Sequence, residues 1–197
     1  LLQKKHRFRL IADAAHSLGA TYKGKPAATF ADIGIFSFHP VKSITTGEGG
    51  LVVLRDRGEA EFLKTFRSHG IRRTDTPGFY RQELLGYNYN MTDIQAALGI
   101  SQLKKLGRFV RRREEIVEMY NDFFSKWDSL KTHSVTKNAR SAWHLYPLRF
   151  DLKKLSCDRD QILRALHAEN IGANVHYIPV YWHPYYQDLG FKRGLCP

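Results

Sequence analysis

Phe36-Ser37-Phe38-His39-Pro40-Val41-Lys42-Ser43-Ile44-Thr45-Thr46-Gly47-Glu48-Gly49-Gly50 is the stretch on which the fold turns. It begins inside a run, Asp32 to Phe38, whose apolar residues Ile33 and Ile35 alternate as in a strand. Pro40, Gly47, Gly49 and Gly50 break that run into a loop, and Leu51 to Leu54 resumes as a further strand. A lysine at the mouth of a buried strand, among glycines and hydroxyls, can be stripped of water. Desolvation disfavours an ammonium and favours the free amine that a nucleophile or Schiff-base former needs. The hydroxyls of Ser37, Ser43, Thr45 and Thr46, with glycine amides beside them, suit a phosphate. The same residues also describe an ordinary solvated loop lysine, and pattern alone does not separate the two.

Toward the N-terminus, Arg9 to Ala12 reads as a short buried strand ending at Asp13, before the small-residue run Ala14-Ala15-His16-Ser17-Leu18-Gly19-Ala20. Ligand sites of open α/β sheets lie beyond the carboxyl ends of strands, so a carboxylate at Asp13 can face a ligand, and His16 projects near it. A turn-forming Asp with a hydrogen-bonded His is the equal alternative. Toward the C-terminus, Glu59 to Ser68 has helical spacing, and Arg72 to Leu85, polar and holding Pro77 and Gly78, reads as a loop. Gly86-Tyr87-Asn88-Tyr89-Asn90-Met91 then leads into Thr92-Asp93-Ile94-Gln95, a capping box. Asn88, just ahead of that helix start, suits an anion or a plain loop cap. From Ala96 to Phe124 the apolar residues keep a 3.6-residue period, as two helices or one kinked helix. Beyond the loop at Lys131 to Ser141, Trp143 to Phe150 reads as a strand, Asp158 to Glu169 as an amphipathic helix and Asn174 to Ile178 as a strand. Short strands, glycine loops and helices together predict an α/β core, residues 1–130, followed by a small α+β domain, residues 131–197.

The 197 residues are 43% apolar and 25% charged, which is ordinary for a globular chain. No run approaches the ~18 apolar residues of a membrane helix. Cys157 and Cys196 have no metal or redox spacing; they exclude a disulfide scaffold and fit a reducing cytoplasm. The formal charge of +12 is concentrated in Lys4-Lys5-His6-Arg7 and in Lys104, Lys105, Arg108, Arg111, Arg112 and Arg113. Glu114, Glu115 and Glu118 interleave the second group, so it reads as a solvated helix face, and no nucleic-acid motif accompanies the charge. The chain opens without Met, on Leu1-Leu2, and stops at Leu195-Cys196-Pro197, so it reads as an internal segment of a longer protein.

Three blocks then decide between the open alternatives: Asp13-Ala14-Ala15-His16, Ser37-Phe38-His39-Pro40-Val41-Lys42 with Thr45-Thr46-Gly47-Glu48-Gly49-Gly50, and Gly86-Tyr87-Asn88-Tyr89. Their occurrence together, in that order, resembles the DegT/DnrJ/StrS family of sugar-nucleotide aminotransferases. The resemblance implies pyridoxal-phosphate-dependent fold type I, that of aspartate aminotransferase, with the family's N-terminal third absent from this chain. It implies that Lys42 holds pyridoxal 5′-phosphate as a Schiff base and moves the proton between substrate and cofactor carbons. Asp13 then pairs with the pyridine nitrogen, His16 contacts the ring where many relatives have Gln, and Ser37 binds the phosphate. Asn88 matches an Asn that relatives send into the partner subunit's site to bind the same phosphate, which implies a homodimer.

The later blocks Val175-His176-Tyr177-Ile178-Pro179 and Pro184-Tyr185-Tyr186 are most similar to the family's pseudaminic-acid-type transaminases, with spore-coat polysaccharide enzymes as close neighbours. The implied reaction moves an amino group from glutamate to C4 of a UDP-linked 4-keto-6-deoxy sugar, with His176 and Tyr177 as substrate contacts or, equally, a packed strand edge. No metal is implied. Asn90 departs from the Arg that relatives commonly carry. A dehydratase of this family has His in place of the Schiff-base lysine, and Lys42 sets that reading aside. A non-catalytic binding module of the same fold is the remaining alternative.

Overall fold

The computed structural model describes residues 5–196, so Lys4 of the N-terminal basic group lies outside the described residues. Strand β1 is Ile11–Asp13, followed by the short pair β2, Thr21–Tyr22, and β3, Lys25–Pro26, and a 3-10 turn at Ala27–Phe30. Strands β4, Ile33–Ser37, and β5, Gly50–Leu54, flank the lysine loop. The main sheet has the order β1-β4-β5, with β1 parallel and β5 antiparallel to β4.

One face of this sheet carries the core. Ala14, Ala28 and Phe36 are buried together, and Leu18, Phe38 and Val53 pack on them. Gly34 lets the Ala27–Phe30 turn lie flat on the sheet, since a Cβ there would sit 2.6 Å from the Ala28 Cβ. The opposite face is open: Ile11, Ile35 and Val52 are exposed. The expectation of a buried first strand is therefore corrected: among the described residues β1 pairs only with β4, and Ile11 and Asp13 are exposed.

Helix α1, Arg57–Phe66, starts at Asp56, whose carboxylate accepts from the Glu59 N–H at 2.8 Å. The polar stretch after it is not the simple loop expected: β6, Ile71–Arg73, and β7, Tyr80–Gln82, form an antiparallel hairpin. Main-chain pairing holds it while its side chains stay solvated, so no hydrophobic alternation marks it. Helices α2, Asp93–Leu103, and α3, Leu106–Phe124, realise the long periodic run as two helices. The capping box forms as expected: Thr92 accepts from the Gln95 N–H and the Gln95 side chain returns to the Thr92 N–H.

Of the expected strand Trp143 to Phe150, only Arg149–Phe150 (β10) pairs, with Leu130–Lys131 (β8). Upstream of it, the Trp143 and His144 carbonyls accept from Arg113 of α3 at 2.9 and 3.2 Å, a side chain taking the place of a neighbouring strand. Strand β9, Ala139–Arg140, pairs with β2. The chain divides into two compact units, residues 5–126 with 132–148, and residues 127–131 with 149–196. The second unit holds the β8–β10 pair, helix α4, Arg159–Ala168, with its own capping box at Asp158, and the short helix α5, Pro184–Asp188. Residues 171–179, which include the expected strand 174–178, form no strand; the main-chain bonds there are local.

Candidate active site

The parallel register of β1 and β4 places Asp13 opposite Ile35. Side chains alternate along a strand, so Ser37, two residues beyond Ile35, shares that face. Asp13 and Ser37 thus end two adjacent strands on the open face of the sheet, at its carboxyl edge. Asp13 Oδ1 accepts from the Ala15 N–H at 3.0 Å, which steadies the carboxylate and leaves its second oxygen for a ligand. Ser37 Oγ accepts from the His39 N–H at 3.3 Å, so its hydroxyl proton is left to donate.

The loop carrying Lys42 is closed at its base. Phe38 donates to the Gly49 carbonyl at 2.9 Å, and the Phe38 carbonyl accepts from both the Thr46 N–H and the Thr45 hydroxyl. Inside it Ser43, Ile44 and Thr46 are buried. Gly49 has φ +154°, and a Cβ there would press on Thr46 Oγ1 and the Met91 methyl, so the closure requires glycine. Helix α2 clamps the loop from outside: Gln95 Nε2 donates to the Glu48 carbonyl at 3.1 Å, and Gly99 packs against Thr46. Lys42 is half-buried, fixed by its own N–H to the His39 carbonyl at 3.0 Å. Among the described residues nothing hydrogen-bonds or ion-pairs with its ammonium.

Asn88 sits on a different support. The extended arm 86–90 runs beside the end of α1, with Tyr87 donating to the Phe66 carbonyl and Tyr89 to the Arg67 carbonyl, both at 2.8 Å. Tyr87 and Tyr89 stack at 5.2 Å and turn onto Phe66. Alternation turns Asn88 and Asn90 the other way, toward Ser68. Asn90 also lines an open pocket of about 630 Å³ with Lys64, Ser68, His69, Arg72 and Arg73.

His16 is exposed beyond β1 and meets the His144 ring edge-on at 4.3 Å, beside Trp143 and His133 in a pocket of about 190 Å³. His144 is a neighbour that sequence spacing did not suggest. It is held there by Arg113 and, through the same segment, by a two-point ion pair of Arg140 with Glu114 at 2.6 and 2.7 Å. The Arg140 guanidinium holds the Glu114 carboxyl below its ordinary range. Burial raises the Tyr146 phenol, whose hydroxyl donates to Asn121 at 2.8 Å. His176 and Tyr177 belong to the second unit, both exposed, their rings edge-on at 4.1 Å. Among the described residues no group of three or more His, Cys, Asp or Glu could hold a metal ion, and no helix is long and apolar enough to cross a membrane.

The model of the DegT/DnrJ/EryC1/StrS aminotransferases matches residues 1–197. The chain belongs to that family. Its relatives include the UDP-4-amino-4,6-dideoxy-N-acetyl-beta-L-altrosamine transaminase of Campylobacter jejuni, 42% identical over 95% of this chain and 50% of that one. The spore coat polysaccharide biosynthesis protein SpsC of Bacillus subtilis is 38% identical over 98% of this chain and 52% of its own. The solved structure of Helicobacter pylori PseC, an aminotransferase involved in the biosynthesis of pseudoaminic acid, superposes with a TM-score of 0.89 at 39% identity, over 95% of this chain and 50% of that one. The chain thus spans about half the length of the curated relatives it matches, and it has the α/β fold of these aminotransferases.

DegT-family aminotransferases depend on pyridoxal 5′-phosphate. The Streptococcus pneumoniae sugar aminotransferase Spr1654, 33% identical to this chain, is known in PLP- and PMP-forms, with TM-scores of 0.83 and 0.85 over 97% of this chain and about half of its own. The donor set at the sheet edge fits the group. A carboxylate, a hydroxyl with a proton to give and an amine held on a rigid loop match a pyridine nitrogen, a phosphate and an aldehyde.

Proposed function

We propose that the protein is a sugar-nucleotide aminotransferase that moves an amino group from glutamate to C4 of a UDP-linked 4-keto-6-deoxy sugar, making a pseudaminic-acid-type amino sugar for surface glycans. The observation that carries this is the shared edge of β1 and β4: Asp13 and Ser37 on one face, with the Lys42 loop rising from the same strand end. When bound, pyridoxal phosphate supplies the electron sink that lets a C–H bond next to nitrogen give up its proton.

The chain's own groups take the complementary tasks. The Asp13 carboxylate would keep the pyridine nitrogen protonated, and His16 would contact the ring. Ser37 would donate to the phosphate, and so would Asn88, from the partner subunit of a homodimer. Lys42 would hold the cofactor through its amine and would serve as the base that moves the proton at the reacting carbons. His176 and Tyr177 meet the nucleotide sugar. The two free thiols, Cys157 and Cys196, support a cytoplasmic setting for the reaction. The name of the Campylobacter relative supports the C4 transaminase reading, and that of the Helicobacter structure supports a pseudaminic-acid-type product. The 38% identity to the Bacillus protein supports a second one, the same chemistry on a different nucleotide sugar.

Adding pyridoxal phosphate to the intact protein and reducing with borohydride tests the site. A pyridoxyl group mapped by mass spectrometry to Lys42, and lost in Lys42→Ala, is the expected result; labelling spread over surface lysines refutes the assignment. A panel of UDP-linked 4-keto sugars with glutamate then separates the two substrate readings. Turnover of none of them overturns the UDP-sugar assignment.

A further inference from the structure

We infer that Asn90 is a positioning residue that sets which end of the Asn88 amide faces outward. The inference rests on the reading of Asn88 as a phosphate donor and adds to it the device that orients it. Three bonds define the device. The Asn90 N–H donates to Asn88 Oδ1 at 3.5 Å, Asn90 Nδ2 donates to the same oxygen at 3.2 Å, and the Ser68 hydroxyl donates to Asn90 Oδ1 at 2.8 Å.

The polarity of this relay follows from its one invariant member. A main-chain N–H can only donate, so the Asn88 atom beside it is the carbonyl oxygen. With that oxygen fixed, Asn90 must present its NH₂ to it and its own oxygen to Ser68, whose hydroxyl rotates to donate. The Asn88 NH₂ is then the end left to face outward, which is the end an anion needs. Both asparagines are exposed, so packing does not choose the orientation; the relay does. Ser68 is fixed in turn by an isolated bridge to Asn88, which ties the relay to the end of α1.

Dissociation constants for pyridoxal phosphate and for pyridoxal, measured by absorbance titration of the intact protein, test this. Only the first ligand carries the phosphate, so their ratio is insensitive to general loss of folded protein. Asn88→Ala is expected to lower the preference for the phosphate ester by about tenfold, the loss of one hydrogen bond to a charged group. Asn90→Ala loosens the amide and lowers the preference by about threefold, and Ser68→Ala by less than that.

The deciding arm is the Asn88→Ala background. There, Asn90→Ala is expected to cause no further loss of preference. An equal loss with and without Asn88, or an equal loss for pyridoxal, overturns the positioning role while leaving the Asn88 reading intact. An unchanged preference in Asn88→Ala overturns both.

Discussion

Between Phe38 and Gly49 the described chain has neither helix nor strand, and the same is true between Ile171 and Pro179. The first of these loops nevertheless buries Ser43, Ile44 and Thr46, closes through Phe38 onto Gly49 and is clamped by α2. The second makes only local bonds, such as Ala173 to Ile171, and leaves Tyr177 and Ile178 exposed. Irregular backbone is thus rigid where its polar groups are satisfied by a neighbouring element, and loose where they are left to water. That contrast matches the tasks proposed for the two. A group that makes a covalent bond must be held before the ligand arrives, whereas residues that meet a substrate can be ordered by it.

The sharpest way to break the comparison is at Gly49. Ala at this position must adopt φ +154° and push on Thr46 and Met91. Gly49→Ala should cost about 2–4 kcal/mol, the sum of backbone strain and overpacking. Urea unfolding measures it, and a stability equal to the parent's would show that the loop is not rigid. Next in size is Gln95→Ala, which removes the return half of the α2 cap and the bond to the Glu48 carbonyl. About 1–2 kcal/mol is expected, with faster hydrogen exchange confined to residues near Glu48 and the start of α2.

Legibility in the sequence divides along the same line. The α2 capping box was readable because both of its partners lie within four positions, β4 because Ile33 and Ile35 alternate, and β5 because it is a short apolar run straight after a glycine-rich loop. Asp13 and Ser37 could be assigned to strand ends, and the register then brings them onto one face. Distant partners were not readable. The alternation from Trp143 to Phe150 mimics a strand, yet Arg113, thirty residues earlier, takes two of its carbonyls. Asn90 looked only like a departure from the family pattern, because its partner Ser68 is 22 residues away. The β6–β7 hairpin has no apolar alternation, being held by main-chain pairing with all its side chains but the half-buried Ile71 exposed.

The strap that carries His144 gives an intermediate case with a pH signature. Arg140 holds the Glu114 carboxyl below the ordinary value of 4.5, so the folded pKa is depressed relative to the unfolded one. The sign follows from linkage: the pair's stabilisation is complete above 4.5 and is lost as the pH falls through the lower, folded value. Arg140 is half exposed, which screens the pair, so Glu114→Gln should cost only about 0.5–1 kcal/mol at neutral pH. The same variant should flatten the acid limb of stability between that 4.5 and the folded value. An acid limb identical in parent and variant would show that the pair contributes nothing to holding the strap.

Smallest of all is the expected effect of Tyr177→Ala on stability, within about 0.5 kcal/mol, because the ring is 71% exposed and its neighbours are local. The informative measurement is therefore the split between kinetic constants. A side chain that is loose in the free protein and meets the nucleotide sugar should raise KM for the sugar when removed, leaving cofactor affinity and the glutamate half-reaction unchanged. If instead the variant loses stability on the scale of Gly49→Ala, the ring is a packing element rather than a substrate contact. The two irregular segments would then differ in the position of their partners and not in their rigidity.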